Sequence, residues 1–505
     1  MYAVGIDSGT QGTKALVVDF ETGQVLGKGH APHEMVPGLP PGASEQDPAT
    51  WVKAMESALA AALKESRVDP KKVVSLGISG QQHGFVPLDR RGRPIRPAKL
   101  WNDTSTIEET EMIVGRLGGT KEFICKLGIS LAVGFTASKI LWLKRHEPEN
   151  FEKLATVLLP HNYLNHHLTG RAHMEYGDAS GTGLMDVRTL RWSEEAARAV
   201  DPDLPGKLPA LSHPREPVGF VRKAVAARFG LGRVLVSAGG GDNMMGAIGT
   251  GNVRPGVSTL SLGTSGTIYS HSGRAFVDPE GEIAAFCGST GGWLPLLCTM
   301  NVTNTTEIFK SVFKLNNRSL EALAAKAGPG SGGLLFLPFV DGERVPVLPF
   351  SSAVFFGLNR GTFDAAHLAR SVMEGTILNL GYGFARMRAL GLKPDEIRAT
   401  GGGSKSRLWL QIAADILGTP VVTLREQEAA AYGGALQSVW CWQLEKGEKV
   451  RIGEITGPRV ALSRLAAAPD PKSSGVYEVL QERFNSLWKT LEPEFKARKR
   501  ASGSF

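Results

Sequence analysis

Two carboxylates stand where a chain could handle phosphate or activate a hydroxyl. Asp7 closes the apolar run Tyr2–Ile6 and opens a turn reading Asp-Ser-Gly-Thr-Gln-Gly-Thr, with Lys14 next. Glycines let backbone N–H groups approach an anion with no Cβ in the way. The hydroxyls of Thr10 and Thr13 add side-chain donors. A carboxylate in such a turn either caps it or faces phosphate through a divalent cation. Mg²⁺ suits the second case, because it binds through one carboxylate, waters and phosphate oxygens. Asp242 lies in Ser237–Gly249, which carries three successive glycines, 239–241, before Asp242 and Asn243. A strand is expected over Arg233–Val236 and a helix from Asn243. Asp242 is then either a helix N-cap or a carboxylate presented at the carboxyl end of a strand, where α/β sheets bind ligands. Three glycines are more than a cap requires.

Other polar clusters could bind small molecules. Ser79–Gly84 places Gln82 and His83 after a buried-type strand, and Trp101, Asn102 and Asp103 follow shortly. Polar side chains beside an aromatic face suit a sugar, whose hydroxyls need hydrogen bonds and whose C–H faces need apolar contact. Gly263 and Thr264 sit in a second Gly/Thr turn, Leu-Gly-Thr-Ser-Gly-Thr. The run Glu396–Thr400, then Gly401, Gly402, Gly403, Ser404, Lys405 and Ser406, then an apolar-periodic stretch reads as strand, glycine loop and helix N-terminus. That is an anion site, although the spacing is not that of a P-loop. Small residues over Glu426–Ala435 would let a flat base approach the backbone. His161, His166 and His167 match no HExxH pattern.

These residues need elements to position them. Tyr2–Ile6, Lys14–Asp19 and Val25–His30 read as a β-meander. Asp47 and Pro48 read as N-cap and first turn of a helix with Trp51, Met55, Leu59 and Leu63 on one face. Val73–Ile78 is a buried-type strand. Alternation of strands and helices predicts an α/β fold. Ser258–Leu262 and Thr267–Ser270 flank the second Gly/Thr turn as the first strands flank theirs, which predicts two similar halves. A boundary is expected near Gly249–Pro255, giving domains 1–250 and 251–505, with a tail helix from Ser474 to about Glu494 packed on the body. A chain of 505 residues exceeds what one core holds, about 250–300 residues.

Composition narrows the function classes. Hydrophobic residues at 42% and charged residues at 21% are ordinary for a globular protein. The net charge of +8 comes from scattered Lys and Arg. The one dense run, Lys496, Arg498, Lys499 and Arg500, reads as a solvated tail, and no nucleic-acid motif accompanies it. Cys125, Cys287, Cys298 and Cys441 have neither zinc spacing nor a disulfide-scaffold pattern, which fits a reducing cytosol. No secretory leader and no membrane span are expected.

The motifs together resemble the FGGY carbohydrate kinase family. Asp7-Ser-Gly-Thr, Gly239-Gly-Gly-Asp-Asn, Gly263-Thr-Ser-Gly and Thr400-Gly-Gly-Gly-Ser-Lys-Ser occur in that family's order. The stretch Ala353–Glu374 resembles its signature, and the likeness covers roughly residues 1–440. Gly80-Gln-Gln-His-Gly, Trp101-Asn-Asp and Asp178-Ala-Ser-Gly-Thr-Gly favour the members that phosphorylate D-xylulose; many of these carry Met where this chain has Gln82. The resemblance implies two ribonuclease-H-like domains of the actin-like ATPase type with a cleft between them. It implies a sugar held mainly on the N-terminal domain by Gln82, His83, Trp101, Asp103, Asp242 and Asn243. ATP would lie mainly on the C-terminal domain, with Thr10, Gln11, Thr13, Lys14, Gly263, Thr264, Gly402, Gly403 and Ser406 near it. Asp242 would be the general base, and Asp7 would hold Mg²⁺ through water. A kinase of another ketopentose or a pentitol is the nearest alternative. A non-catalytic sugar-responsive regulator is a different class, and it would need neither Asp7 nor Asp242. The implied partners are a sugar and ATP, with no nucleic acid and no membrane; a homodimer is compatible and not required.

Overall fold

A computed structural model describes residues 1–502, the side chains of 464, 465 and 499–502 excepted. The chain forms two compact units. The first comprises Met1–Arg254, His271–Pro295 and Glu428–Val460; the second comprises Pro255–Ser270, Leu296–Gln427 and Ala461–Phe505. Among the described residues no helix is long and apolar enough to cross a membrane.

The sheet of the first unit runs Gly219–Phe220, Leu235–Val236, Val73–Gly80, Tyr2–Ser8, Gly12–Asp19, Val25–Pro32. The last three form the antiparallel meander, and Tyr2–Ser8 pairs in parallel with Val73–Gly80. Short Gly240–Gly241 adds a parallel pair to the end of Val73–Gly80. Asp47 caps the helix Pro48–Ser66 by accepting from the Ala49 N–H at 2.9 Å. Trp51, Met55, Leu59 and Leu63 are buried on its inner face against Val4, Ile6, Val17 and Leu76, as the four-residue stripe predicts.

The helix Ala429–Glu445 belongs to this first unit, and glycines let it in. A Cβ on Gly5 would fall 1.8 Å from the Ala431 carbonyl, and one on Gly433 would fall 1.8 Å from the Met245 carbonyl. A Cβ on Gly249 would meet the same helix at the Ala429 carbonyl at 1.8 Å, and one on Gly77 would meet it at the Gly434 carbonyl at 2.1 Å. The small residues from 429 onward therefore serve close packing of helix on sheet and of helix on helix, where the sequence suggested room for a flat base.

The second unit repeats the strand order. Its sheet runs Leu296–Thr299, Gly266–Ser270, Val257–Leu262, Glu396–Thr400, Val421–Leu424, Leu462–Ala467. Again an antiparallel meander continues into parallel strands, with an antiparallel strand at the far edge. This is the α/β, ribonuclease-H-like pattern, present twice. The tail helix extends further than the sequence suggests, over Pro471–Ser502. It buries Tyr477, Leu480, Phe484, Trp488 and Phe495 against Leu335, Leu337 and Leu378. Arg370 bonds Glu374 at 2.6 Å and the Tyr477 hydroxyl at 2.7 Å, joining this helix to the helix Ala365–Ala389. In the terminal basic run Lys496 pairs with Glu492; the side chains of Lys499 and Arg500 lie outside the described residues.

Candidate active site

Strand register brings the first-unit motifs together. Asp7 lies opposite Ser79, and Ser79 lies opposite Gly240. Adjacent strands are about 4.8 Å apart, so Asp7, Ser79 and Gly240 form one row at the carboxyl ends of parallel strands. Asp242 follows two residues beyond. The glycines before it are strand and packing positions, not a free loop. Gly239 has φ +73°, and a Cβ there would meet the Ile78 carbonyl at 2.4 Å. A Cβ on Gly240 would strike Ser289, and one on Gly241 would strike Gln82.

The helix Asp242–Gly249 begins at Asp242 itself. Gly241 holds the N-cap position, and no side chain caps this helix. The Asp242 carboxylate instead accepts from its neighbour: Oδ1 takes the Asn243 N–H at 2.8 Å and Asn243 Nδ2 at 3.0 Å. Asn243 Nδ2 also donates to Gln82 Oε1 at 2.6 Å. Gln82 Nε2 is buried with no hydrogen-bond partner among the described residues, which leaves a donor for a ligand oxygen. Burial, then the charge of Asp7, and in smaller part that of Asp178, push the Asp242 carboxyl up to about 7 against the hydrogen bonds from Asn243.

Asp7 is raised as well, chiefly by burial, against a hydrogen bond from Ser79 Oγ at 2.7 Å and the charge of Lys14. Lys14 itself pairs with Glu428 at 2.6 Å. Two carboxylates that repel each other's charge and have raised proton affinity offer hard oxygen donors, and donors of that kind suit Mg²⁺.

His83 has a left-handed backbone, φ +59°. Its ring packs on Phe135 and Phe286, with centroids 4.6 and 5.3 Å away, and the two phenylalanine rings lie 6.0 Å from each other. It rests on Gly181, where a Cβ would fall 1.9 Å from the ring. Asp178 Oδ1 is 3.6 Å from His83 Nδ1. Trp101 is 37% exposed, and its indole N–H donates to Thr10 Oγ1 at 3.0 Å. Thr10 in turn donates to Gln81, and Gln46 bonds both Gln81 and the Thr10 carbonyl. Trp101 and the first hairpin are thus tied into one network. Thr13 is fully buried on Ser8, and Gln11 is exposed. Asp103 is not brought to this group. It is fully buried and accepts from Lys99, the Ser44 N–H and Ser105.

The remaining sequence candidates lie in the second unit. Gly263 and Thr264 form the hairpin between Val257–Leu262 and Gly266–Ser270, with the Thr264 side chain exposed. A short helical turn, Gly402–Lys405, separates Glu396–Thr400 from the helix Arg407–Leu417. Space around Gly402 is open, whereas a Cβ on Gly403 would press on Leu262 and Trp409. Ser406 caps the helix, accepting from the Trp409 N–H at 3.2 Å.

From sequence alone Asp178 figures only within a motif and His161 only as an unmatched metal candidate, and Glu175 and Lys139 have no role; the structure gathers all four around the His83 turn. Asp178 Oδ2 bonds His161 Nδ1 at 3.1 Å. Glu175 caps the turn that carries Asp178, accepting the N–H groups of Gly177 and Asp178. Lys139 Nζ donates to the His83 carbonyl at 2.7 Å. The available signal was the motif Asp178-Ala-Ser-Gly-Thr-Gly, on which the family resemblance partly rests.

Two family models match the chain: the N-terminal domain of the FGGY family of carbohydrate kinases over residues 2–249, and its C-terminal domain over residues 247–442. A xylulose kinase from Haemophilus influenzae is 44% identical over 444 residues, covering 86% of this chain and 90% of that protein. A xylulose kinase from Streptomyces coelicolor is 39% identical, covering 86% and 87%. Among solved structures, a "xyloylose kinase" from Brucella ovis superposes with a TM-score of 0.90 at 30% identity, covering 98% of this chain and 100% of that one.

Proposed function

The chain belongs to the FGGY family of carbohydrate kinases, and from that premise we propose that it transfers the γ-phosphoryl group of ATP to the 5-hydroxyl of D-xylulose, with Asp242 as general base. The names of the relatives support the substrate class. The observation that carries the base is the state of Asp242. It stands at the start of a helix that it does not cap, at the ends of parallel strands, with its carboxyl raised to about 7. A base with a pKa near the working pH is best matched to proton transfer.

The chemistry follows from these groups. A sugar hydroxyl is a poor nucleophile at neutral pH. Deprotonated Asp242 accepts its proton as the oxygen forms a bond to the γ-phosphorus, and the bond from that phosphorus to the ADP oxygen breaks. Asn243 orients the carboxylate, and the spare Nε2 donor of Gln82 and the ring of His83 hold sugar oxygens. Trp101 offers an apolar face. Mg²⁺ when bound would supply the charge neutralisation that phosphoryl transfer needs, and Asp7 would hold it through water. Gly263, Thr264, Gly402 and Ser406 are the second-unit candidates for the nucleotide.

Gln82 gives a reason to keep a second ketopentose or a pentitol in view, because an extra donor reads a different set of oxygens from the Met of many relatives. Asp242→Asn tests the base. Asn keeps the shape and the bonds to Asn243 but accepts no proton. The expected result is a kcat loss of about 10²–10⁴-fold with D-xylulose affinity by calorimetry largely retained. A kcat within about threefold of the parent, well short of that range, overturns the assignment.

A further inference from the structure

The turn carrying Gln82 and His83 rests on a buried charge that the proposed chemistry does not use. Lys139 lies in the helix Thr136–His146 and is completely buried. Its ammonium donates to two backbone carbonyls, that of Gly134 at 2.5 Å and that of His83 at 2.7 Å. A Leu or Met of similar length would fill the space without burying a charge, and burying one is expensive unless it is paired and hydrogen-bonded. Burial pushes the Lys139 ammonium down to about 7, while Asp103 and Asp178 favour its charge and Lys99 opposes it. What only an ammonium supplies here is strong donation to those carbonyls.

The carbonyl of His83 needs such an anchor. His83 has φ +59°, a conformation that residues other than glycine rarely adopt and that persists only when the surroundings over-determine it. Thr136 Oγ1 adds a second donor to the same carbonyl at 3.2 Å, and Asp178 Oδ1 takes the His83 N–H at 3.4 Å. Both sides of the strained residue are therefore held. Gln82, one residue earlier, reaches Asn243 and so Asp242.

We infer that Lys139 is a positioning residue for the sugar: its ammonium pins the His83 carbonyl and so fixes the left-handed turn that presents Gln82 and His83. The inference rests on the reading that His83 contacts the sugar.

Steady-state kinetics on the full chain, assayed well below each variant's melting temperature, provide the test. Lys139→Met is expected to raise the KM for D-xylulose by about tenfold, the scale of a lost charge-assisted hydrogen bond. Because the effect acts through one turn, the KM for ATP should stay within about twofold. Thr136→Val removes the neutral donor and should shift the same constant in the same direction by about threefold. In a His83→Ala background, Lys139→Met should add clearly less than the roughly tenfold expected in the parent, because the share that acts through the His83 ring is already lost and only the share through Gln82 remains. A full multiplicative effect in that background overturns the inference, as does an equal rise in both KM values. If His83→Ala alone leaves the D-xylulose KM unchanged, the reading of His83 fails and the inference falls with it. If Lys139→Met does not fold, Thr136→Val decides, and an unchanged D-xylulose KM counts against the inference.

Discussion

At Asp242 the folded protein keeps a proton that the unfolded chain gives up. The folded pKa is near 7 against an ordinary 3.8. Between those values the native state binds more protons, so stability falls as pH rises through that window and levels off above about 7. A tenfold change in proton affinity is worth about 1.4 kcal/mol, so the loss is at most about 4 kcal/mol, and water reaching the partly exposed carboxylate reduces it. Asn at this position has no such loss. Melting curves of metal-free parent and Asp242→Asn should coincide most closely near pH 4 and diverge toward pH 8, with the variant more stable. A gap that is constant with pH, or a variant less stable at pH 8, contradicts the electrostatic reading. Asp7 and Asp242 were legible because strand, glycines and carboxylate are consecutive in the chain. Lys139, and the contact of Asp178 with His83, were not, because these residues act on His83 from 56 and 95 positions away. Asp103 misled in the opposite sense: it neighbours Trp101 in sequence, but Lys99 and backbone N–H groups consume its charge.

Between elements, glycines decide how closely backbones approach, and their two uses separate experimentally. At Gly433 a Cβ would lie 1.8 Å from the Met245 carbonyl. Ala gains about 1 kcal/mol in helix propensity, but a contact that deep forces the helices apart. Overpacking costs about 1–3 kcal/mol, sometimes more, and wins. Gly433→Ala should therefore lower the melting temperature. Gly402 meets nothing within 4 Å, so Gly402→Ala should change stability by less than about 0.5 kcal/mol. If the nucleotide lies there, that variant raises the KM for ATP and leaves the KM for D-xylulose alone. An unchanged ATP KM removes Gly402 from the nucleotide site. The meander, the Asp47-capped helix and the glycine loops were readable from period and turn residues. The strand role of Gly240–Gly241 was not, because only pairing with Val73–Gly80 shows it.

At the scale of the whole chain, one strand order occurs twice, and the Gly/Thr hairpins at Asp7–Thr13 and Gly263–Gly266 open the two sheets. That repeat was visible in sequence as a faint likeness between two turns. The return of residues 428–460 to the first unit was not, since it depends on glycine contacts between segments hundreds of positions apart. In the proposed division of labour, hydrogen exchange should show D-xylulose protecting peptides around 79–84 and 240–243, and ADP protecting those around 262–267 and 401–406. Protection by sugar confined to the second unit contradicts that division. The most direct measurement of the central claim is ATP-dependent phosphorylation of a sugar panel by the purified protein, with the product position determined. D-xylulose is expected to have the highest kcat/KM, above ribulose, glycerol, gluconate and fuculose, with the phosphate on its 5-oxygen. A higher kcat/KM for ribulose or a pentitol, or phosphate on another oxygen, would contradict that claim.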